Sequence, residues 1–257
     1  GRNIHLTKYG AEFLAYVNKG LEQIDKGIAI MKNYAGTGDG GKIDLGCIIT
    51  VQTDFIPKLL NGYKAAAGGV AFNVREDTSI PLVKDLLSGC YDVVFCAKGN
   101  EDPDLAYVPV LTQKVVVAMS SDCPLVEKEF VTPTDLLEQH LITYVDTIPL
   151  GRAVRRMLDE CGIKNVEYSY LDESILAGFA ANGVEAAVML DTFLLRSVDD
   201  VVVRPFYPSA LDRRSCHHRV YMAYSTKNYH PYRVDHFIQH VIETKALKPD
   251  PNACYID

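Results

Sequence analysis

No stretch of this sequence is apolar for the ~20 residues that a membrane-spanning helix needs, so no such span is expected. Residues 1–14 are polar and mixed and lack the apolar core of an export signal. No CxxC pair occurs. The seven cysteines (Cys47, Cys90, Cys96, Cys123, Cys161, Cys216 and Cys254) are odd in number and irregularly spaced. That pattern disfavours a secreted disulfide framework and fits reduced thiols in a cytoplasm. Basic excess is missing too. The net charge is -7, and short clusters such as Arg213-Arg214 are not enough to grip DNA unaided. GxSxG, Walker and HExxH patterns are absent, and the Gly-rich run Gly36–Gly41 lacks a following Lys-Ser/Thr and reads as a linker. No catalytic residues and no cofactor are therefore expected.

What is present is an ordinary globular composition, 48% hydrophobic and 23% charged, on 257 residues, a length that suits two modest α/β lobes. Residues 7–34 read as one long helix. Phe13, Leu14, Val17, Leu21, Ile24, Ile28 and Met31 form a heptad-like stripe that must be buried, on a second copy or on the chain's own domain. Gly36-Thr37-Gly38-Asp39-Gly40-Gly41 reads as a hinge. A β-α-β-α-β series follows: strand 43–50, helix 54–66, strand 70–75, helix 81–88 closed by Gly89, and strand 91–97. This order predicts a parallel sheet with right-handed crossovers. A second series has strand 114–120, helix 132–138 and strand 141–145, then helix 150–161, strand 166–171, a helix capped by Asp172 and strand 186–190. Strands at 200–205 and 219–225 and a helix at 231–243 close the chain.

In order and spacing, these residues resemble the LysR-type transcriptional regulators, over nearly the whole chain. Leu6-Thr7-Lys8-Tyr9-Gly10 looks like the start of the family's linker helix after the wing of its winged helix-turn-helix. Lys42-Ile43-Asp44-Leu45-Gly46, followed by Pro57-Lys58-Leu59-Leu60, is similar to the first strand and helix of the sensing domain. Leu82–Leu87 with Ser88-Gly89-Cys90-Tyr91-Asp92-Val93-Val94, the turn Ser121-Asp122-Cys123-Pro124-Leu125, and Ala180–Val188 match further family signatures. Departures are Gly68-Gly69 where a Pro is usual, Cys123 where His is common, and Glu185 within a small-residue turn.

The resemblance implies a type-2 periplasmic-binding-protein-like fold: two Rossmann-like lobes preceded by a long linker helix, with a small effector between the lobes. It implies residues 1–35 as wing end and dimerisation helix, 42–112 plus 220–257 as lobe I, and 113–219 as lobe II. It also implies a homodimer or tetramer, and DNA contact only through a helix-turn-helix outside this sequence.

Ligands of open α/β sheets sit beyond the carboxyl ends of strands, where helix N-termini favour anions. Thr50, Gln52 and Thr53, Thr78 and Ser79, and the loop around Thr147 lie at such junctions. The resemblance places effector contacts at Thr50, at Ser79 and around Thr147. Thr50, Gln52, Thr53, Thr78, Ser79, Thr147 and Arg152 are the candidate binding residues, and the hydroxyls suggest a small carboxylate-bearing effector. Helix capping alone is the competing account of each Ser and Thr.

Cys216-His217-His218 could ligate a metal but lacks a second ligand pair, and the two histidines point to opposite faces of a strand, so no metal is expected. Cys96 reads as core, and Cys161 as a redox candidate without a nearby partner in sequence. Competing functions are an exported receptor of the same fold and a dehydratase-type enzyme using Asp146, Asp172 or Asp191.

Overall fold

The computed structural model of the protein describes residues 6–34, 41–67, 69–209, 214–248, 250 and 253–256. The expected hinge lies outside these residues except for Gly41, as do the first five residues and Arg213. The long helix forms as expected: α1 spans Lys8–Tyr34. Thr7 starts it, its hydroxyl accepting the Gly10 N–H at 3.0 Å. Its stripe stays uncovered by the described residues, with Phe13 70%, Ile24 60% and Met31 67% exposed. The helix reaches the α/β body where the Lys26 ammonium donates to the Gly89 carbonyl.

The body begins with β1 (Lys42–Cys47), α2 (Ile49–Gln52), α3 (Phe55–Ala67), β2 (Ala71–Glu76), α4 (Ser79–Leu87) and β3 (Val93–Cys96). β1 pairs in parallel with both β2 and β3, as the alternating pattern predicts. β3 is buried along its whole length, because α3 covers one face of the sheet and α4 the other. Gly89, at φ +80°, turns the chain out of α4 in the left-handed region that a side chain would strain. β1 stops at Cys47, so Thr50 lies inside a short helix and not at the end of a strand.

The next strand is the main departure from expectation. β4 runs Leu105–Ser120, sixteen residues, starting well before Lys114. Pro109 hides its first half from a propensity reading, since Pro cannot donate to a ladder. The register shift at Pro109/Leu111 absorbs it. β4 is long enough to belong to both lobes: its first part pairs with β9 (Cys216–Ser225), its second with β7 (Ala186–Leu190) and β8 (Val201–Pro205). β9 likewise begins at Cys216, earlier than residue 219.

The second lobe adds α5 (Pro133–Leu136), β5 (Leu141–Tyr144), α6 (Pro149–Glu160), β6 (Val166–Tyr170) and α7 (Glu173–Ala181). α8 (Tyr232–Lys245) returns to the first lobe, and a strand not anticipated, β10 (Cys254–Ile256), pairs with β9. The strand order is β2-β1-β3-β9-β4-β7-β5-β6.

Among the described residues three hydrophobic clusters result, the smallest under α4 around Leu82, Leu86, Val94 and Cys96. The other two are larger. One joins β1, β3 and β9 to α3 and α8 around Tyr63, whose ring packs edge-on to Phe237 at 5.0 Å. Such aromatic pairs add ~0.5–1.5 kcal/mol beyond their area. The other gathers Val115–Met119, β5 and β7 against Val154, Leu158 and Leu176 of α6 and α7. The fold is thus two Rossmann-like lobes joined by the long strands β4 and β9.

Candidate functional site

A cavity of about 400 Å³ lies between the lobes, within the usual range for small-ligand sites. The first residues of two helices, Ser79 of α4 and Pro149 of α6, reach its wall from different lobes, and Glu173 of α7 joins them. Free N–H groups and the positive ends of helix dipoles therefore converge on it.

Of the seven candidate residues, Thr50, Thr78 and Ser79 line the cavity, while Gln52, Thr53, Thr147 and Arg152 are not on its wall. The Thr50 hydroxyl meets the side chain of Gln113 at 3.4 Å. Ser79 is buried and its hydroxyl accepts the Ala97 N–H at 3.1 Å, which leaves its own proton to be donated elsewhere. Thr78 precedes α4 without capping it: its N–H donates to Asp77 at 2.6 Å. Arg152 donates to the Thr147 carbonyl at 2.9 Å and faces an adjoining cavity of about 260 Å³, which also contains Ser79 and Tyr107.

The most strongly organised part of the wall was not among the candidates. Tyr144, fully buried at the end of β5, donates its hydroxyl proton to Glu173 Oε1 at 2.6 Å. The Tyr144 hydroxyl oxygen in turn accepts the Leu190 N–H at 2.8 Å. Glu173 is 1% exposed, and its Oε2 has no hydrogen-bond partner among the described residues. Burial pushes the Glu173 carboxyl up to about 7, against the pull of the Tyr144 bond. Burial and the adjacent carboxylate likewise raise the Tyr144 hydroxyl. Buried Gln113 and His218, from β4 and β9, complete the polar wall, with Glu76 and Asp77 at its rim.

The carboxylates offered for catalysis are otherwise engaged. Asp172 caps α7, accepting the Ser174 N–H at 2.8 Å and the Ile175 N–H at 3.2 Å. Asp146 pairs with Arg155, and Asp191 is exposed. His218 turns into the cavity while the His217 ring meets the Ser215 carbonyl at 3.1 Å, so the neighbouring histidines do not act together. Cys96 is core, its thiol pushed up to about 12 by burial. Cys161 does have thiol neighbours, which its sequence position hid: Cys254 lies close to it, and Cys254 Sγ is 3.9 Å from Cys216 Sγ. Burial raises the Cys161 thiol to about 11, the opposite of a reactive thiolate. On the surface, His140 and Glu185 pair at 2.7 Å beside Glu167.

Residues 36–246 match the family described as "LysR substrate binding domain". The chain is 22% identical over 192 residues to the Bacillus subtilis protein described as the uncharacterized HTH-type transcriptional regulator YybE, covering 74% of this chain and 65% of that protein. It is 27% identical over 142 residues to the HTH-type transcriptional regulator AlsR of the same organism, covering 55% and 47%. The chain thus spans less than two thirds of these relatives' lengths. Its fold is similar to the effector-binding domain of QuiR, solved in complex with shikimate (TM-score 0.72, 18% identity, 80% of this chain and 97% of that one). It is also similar to full-length CbnR bound to its target DNA (TM-score 0.74, 16% identity, 94% and 83%).

Proposed function

The chain belongs to the LysR substrate-binding domain family, and on that premise we propose that it is the sensing part of a cytoplasmic bacterial transcriptional regulator. It binds a small carboxylate-bearing effector between its lobes, without turnover, and passes occupancy to a DNA-binding segment. The observation that carries this reading is the cavity of about 400 Å³ on which the N-termini of α4 and α6 converge from different lobes. The seven free thiols support a reducing compartment. The engagement of Asp146 and Asp172 elsewhere supports binding over catalysis. Residues 42–112 with 220–257 and residues 113–219 form the two lobes in this reading, with the cavity at their junction.

The contacts we assign are Thr50, Thr78 and Ser79, together with Gln113, Glu173 and His218. A thermal-shift panel of small carboxylates, aromatic acids, amino acids and sugars tests the function: a concentration-dependent rise is expected for one class. With that ligand, Thr50→Val weakens binding by about two- to tenfold, the worth of one hydrogen bond, and leaves the ligand-free melting temperature nearly unchanged. An equal loss without ligand marks Thr50 as structural. Recovery of a chemically altered ligand after hours overturns the non-enzymatic reading.

The uncovered stripe of α1 pairs with a second copy in this proposal, since Phe13, Ile24 and Met31 find no cover among the described residues. Sedimentation at micromolar concentration is expected to give at least a dimer. Ile24→Asp, which removes a buried side chain worth ~1.5–3 kcal/mol, weakens the dimer by at least about tenfold. A strict monomer of the unaltered chain overturns the assignment.

A further inference from the structure

The wall of the cavity is acidic. Among the described residues its charged side chains are the carboxylates of Glu76, Asp77 and Glu173; His218 can add a positive charge, and none of the described lysines or arginines lines it. Two of the carboxylates lie at the rim. The third, Glu173, is buried, with Oε2 lacking any donor. Tyr144 cannot turn to serve that oxygen: its one proton goes to Oε1 and its lone pair to the Leu190 N–H. A carboxylate oxygen withdrawn from water without a partner is costly, and an occupant that donates to it removes the cost. An occupant bearing only acceptors leaves the cost in place and brings another negative group into an acidic wall. The first turns of α4 and α6 offer N–H groups, at Ser79 and Leu150, to an anionic end in the same cavity.

From this juxtaposition we propose that the effector is an amino-acid-like zwitterion, its carboxylate held by the helix N-termini and its ammonium donating to Glu173 Oε2. The proposal rests on the reading of this cavity as the effector site, and deepens it by naming the ligand class. It also fixes the sign of a pH dependence. In the empty site burial holds the Glu173 carboxyl up to about 7, so below that pH an arriving ammonium must displace its proton. Affinity therefore rises with pH. The titratable groups acting on Glu173 are Tyr144 from β5 and Asp172 at the cap of its own helix; His218 from β9 and Glu76 and Asp77 from the end of β2 share the cavity wall with it, to which α6 contributes the uncharged Pro149 and Leu150. A charged His218 would repel an ammonium with the same sign, so the variant below is needed to separate the two.

Thermal shift and calorimetry on this chain with matched probes test the idea: phenylalanine against hydrocinnamate, leucine against isocaproate, glutamate against glutarate. At least one amine-bearing probe is expected to bind roughly tenfold or more tighter than its partner, the worth of a hydrogen bond between charged groups. Its affinity rises about tenfold between roughly pH 6 and pH 8, with proton release on binding. Glu173→Gln abolishes both the preference and the slope. Should that variant fail to fold, His218→Gln carries the test: a slope and proton release that persist without His218 keep the proposal, and their loss overturns the assignment to Glu173. Binding of the partners as tightly as the amines, or affinity that falls as pH rises, overturns the zwitterion and leaves the cavity reading standing. A pH slope retained by a folded Glu173→Gln also overturns it. Failure of every amine-bearing probe overturns it too, and silence from both sets removes the cavity reading as well.

Discussion

Ligand-free chain carrying Glu173→Gln is expected to keep about 3 kcal/mol of stability that the unaltered chain loses between about pH 4.5 and pH 7. Burial raises the folded-state carboxyl from the ordinary 4.5 to about 7. In that window the folded protein holds a proton that the unfolded chain has already released. Stability contributed by the protonated group is therefore complete below the unfolded value and falls as pH rises through the folded one. At about 1.4 kcal/mol per pKa unit, the difference is about 3 kcal/mol. Glutamine has the same shape, still accepts from Tyr144 and does not titrate. Urea midpoints of both chains at about pH 5 and about pH 8 read the difference directly. Parallel pH profiles would show that Glu173 is solvated in the folded state. Other carboxyls with displaced values, such as Asp92 (raised by burial) and Asp135 (lowered by its bonds to Lys128 and Thr132), cancel in the comparison.

The second large effect belongs to Gly151, in the first turn of α6. A Cβ there would overlap the Val145 carbonyl oxygen and lie 2.7 Å from its carbon. Backbone cannot rotate out of the way as a side chain can, so α6 would have to lift from the end of β5. Gly151→Ala is expected to cost about 3 kcal/mol, the upper range for overpacking. Because Pro149 and Leu150 line the cavity, lifting α6 also weakens effector binding. Gly178 in α7 is the control: a Cβ there meets nothing within 4 Å. Gly178→Ala is expected to be neutral or to stabilise by up to ~1 kcal/mol. Denaturant midpoints compare the two, and equal midpoints would refute the close approach of α6 to Val145.

Asp172 shows why some of the site was legible in sequence. An Asp three residues ahead of an apolar periodic run satisfies N–H groups two and three positions on, so its role as a cap is a local matter. Glu173, the very next residue, shows the opposite. In sequence it is one more acidic residue in a first helical turn, where such residues are ordinarily solvated. Its burial depends on Tyr144, 29 positions earlier, which is itself held by Leu190, 46 positions on from Tyr144. Gln113 was missed for another reason: Pro109 masked the strand that carries it, and only pairing with β9 establishes that strand. Thr50 and Ser79 were found because strand-to-helix junctions recur at predictable places in α/β chains.

The sequence by itself determined the alternating α/β order, the long amphipathic helix and its apolar stripe, the family, and the strand-to-helix junctions. These follow from periodicity, capping and turn residues, which act over a few positions. Tertiary structure alone decided that β4 and β9 run through both lobes and that three thiols distant in sequence are neighbours. It also decided that a single carboxyl is closed off from water beside a cavity, because burial and charge environment are set by residues that only the completed fold brings together.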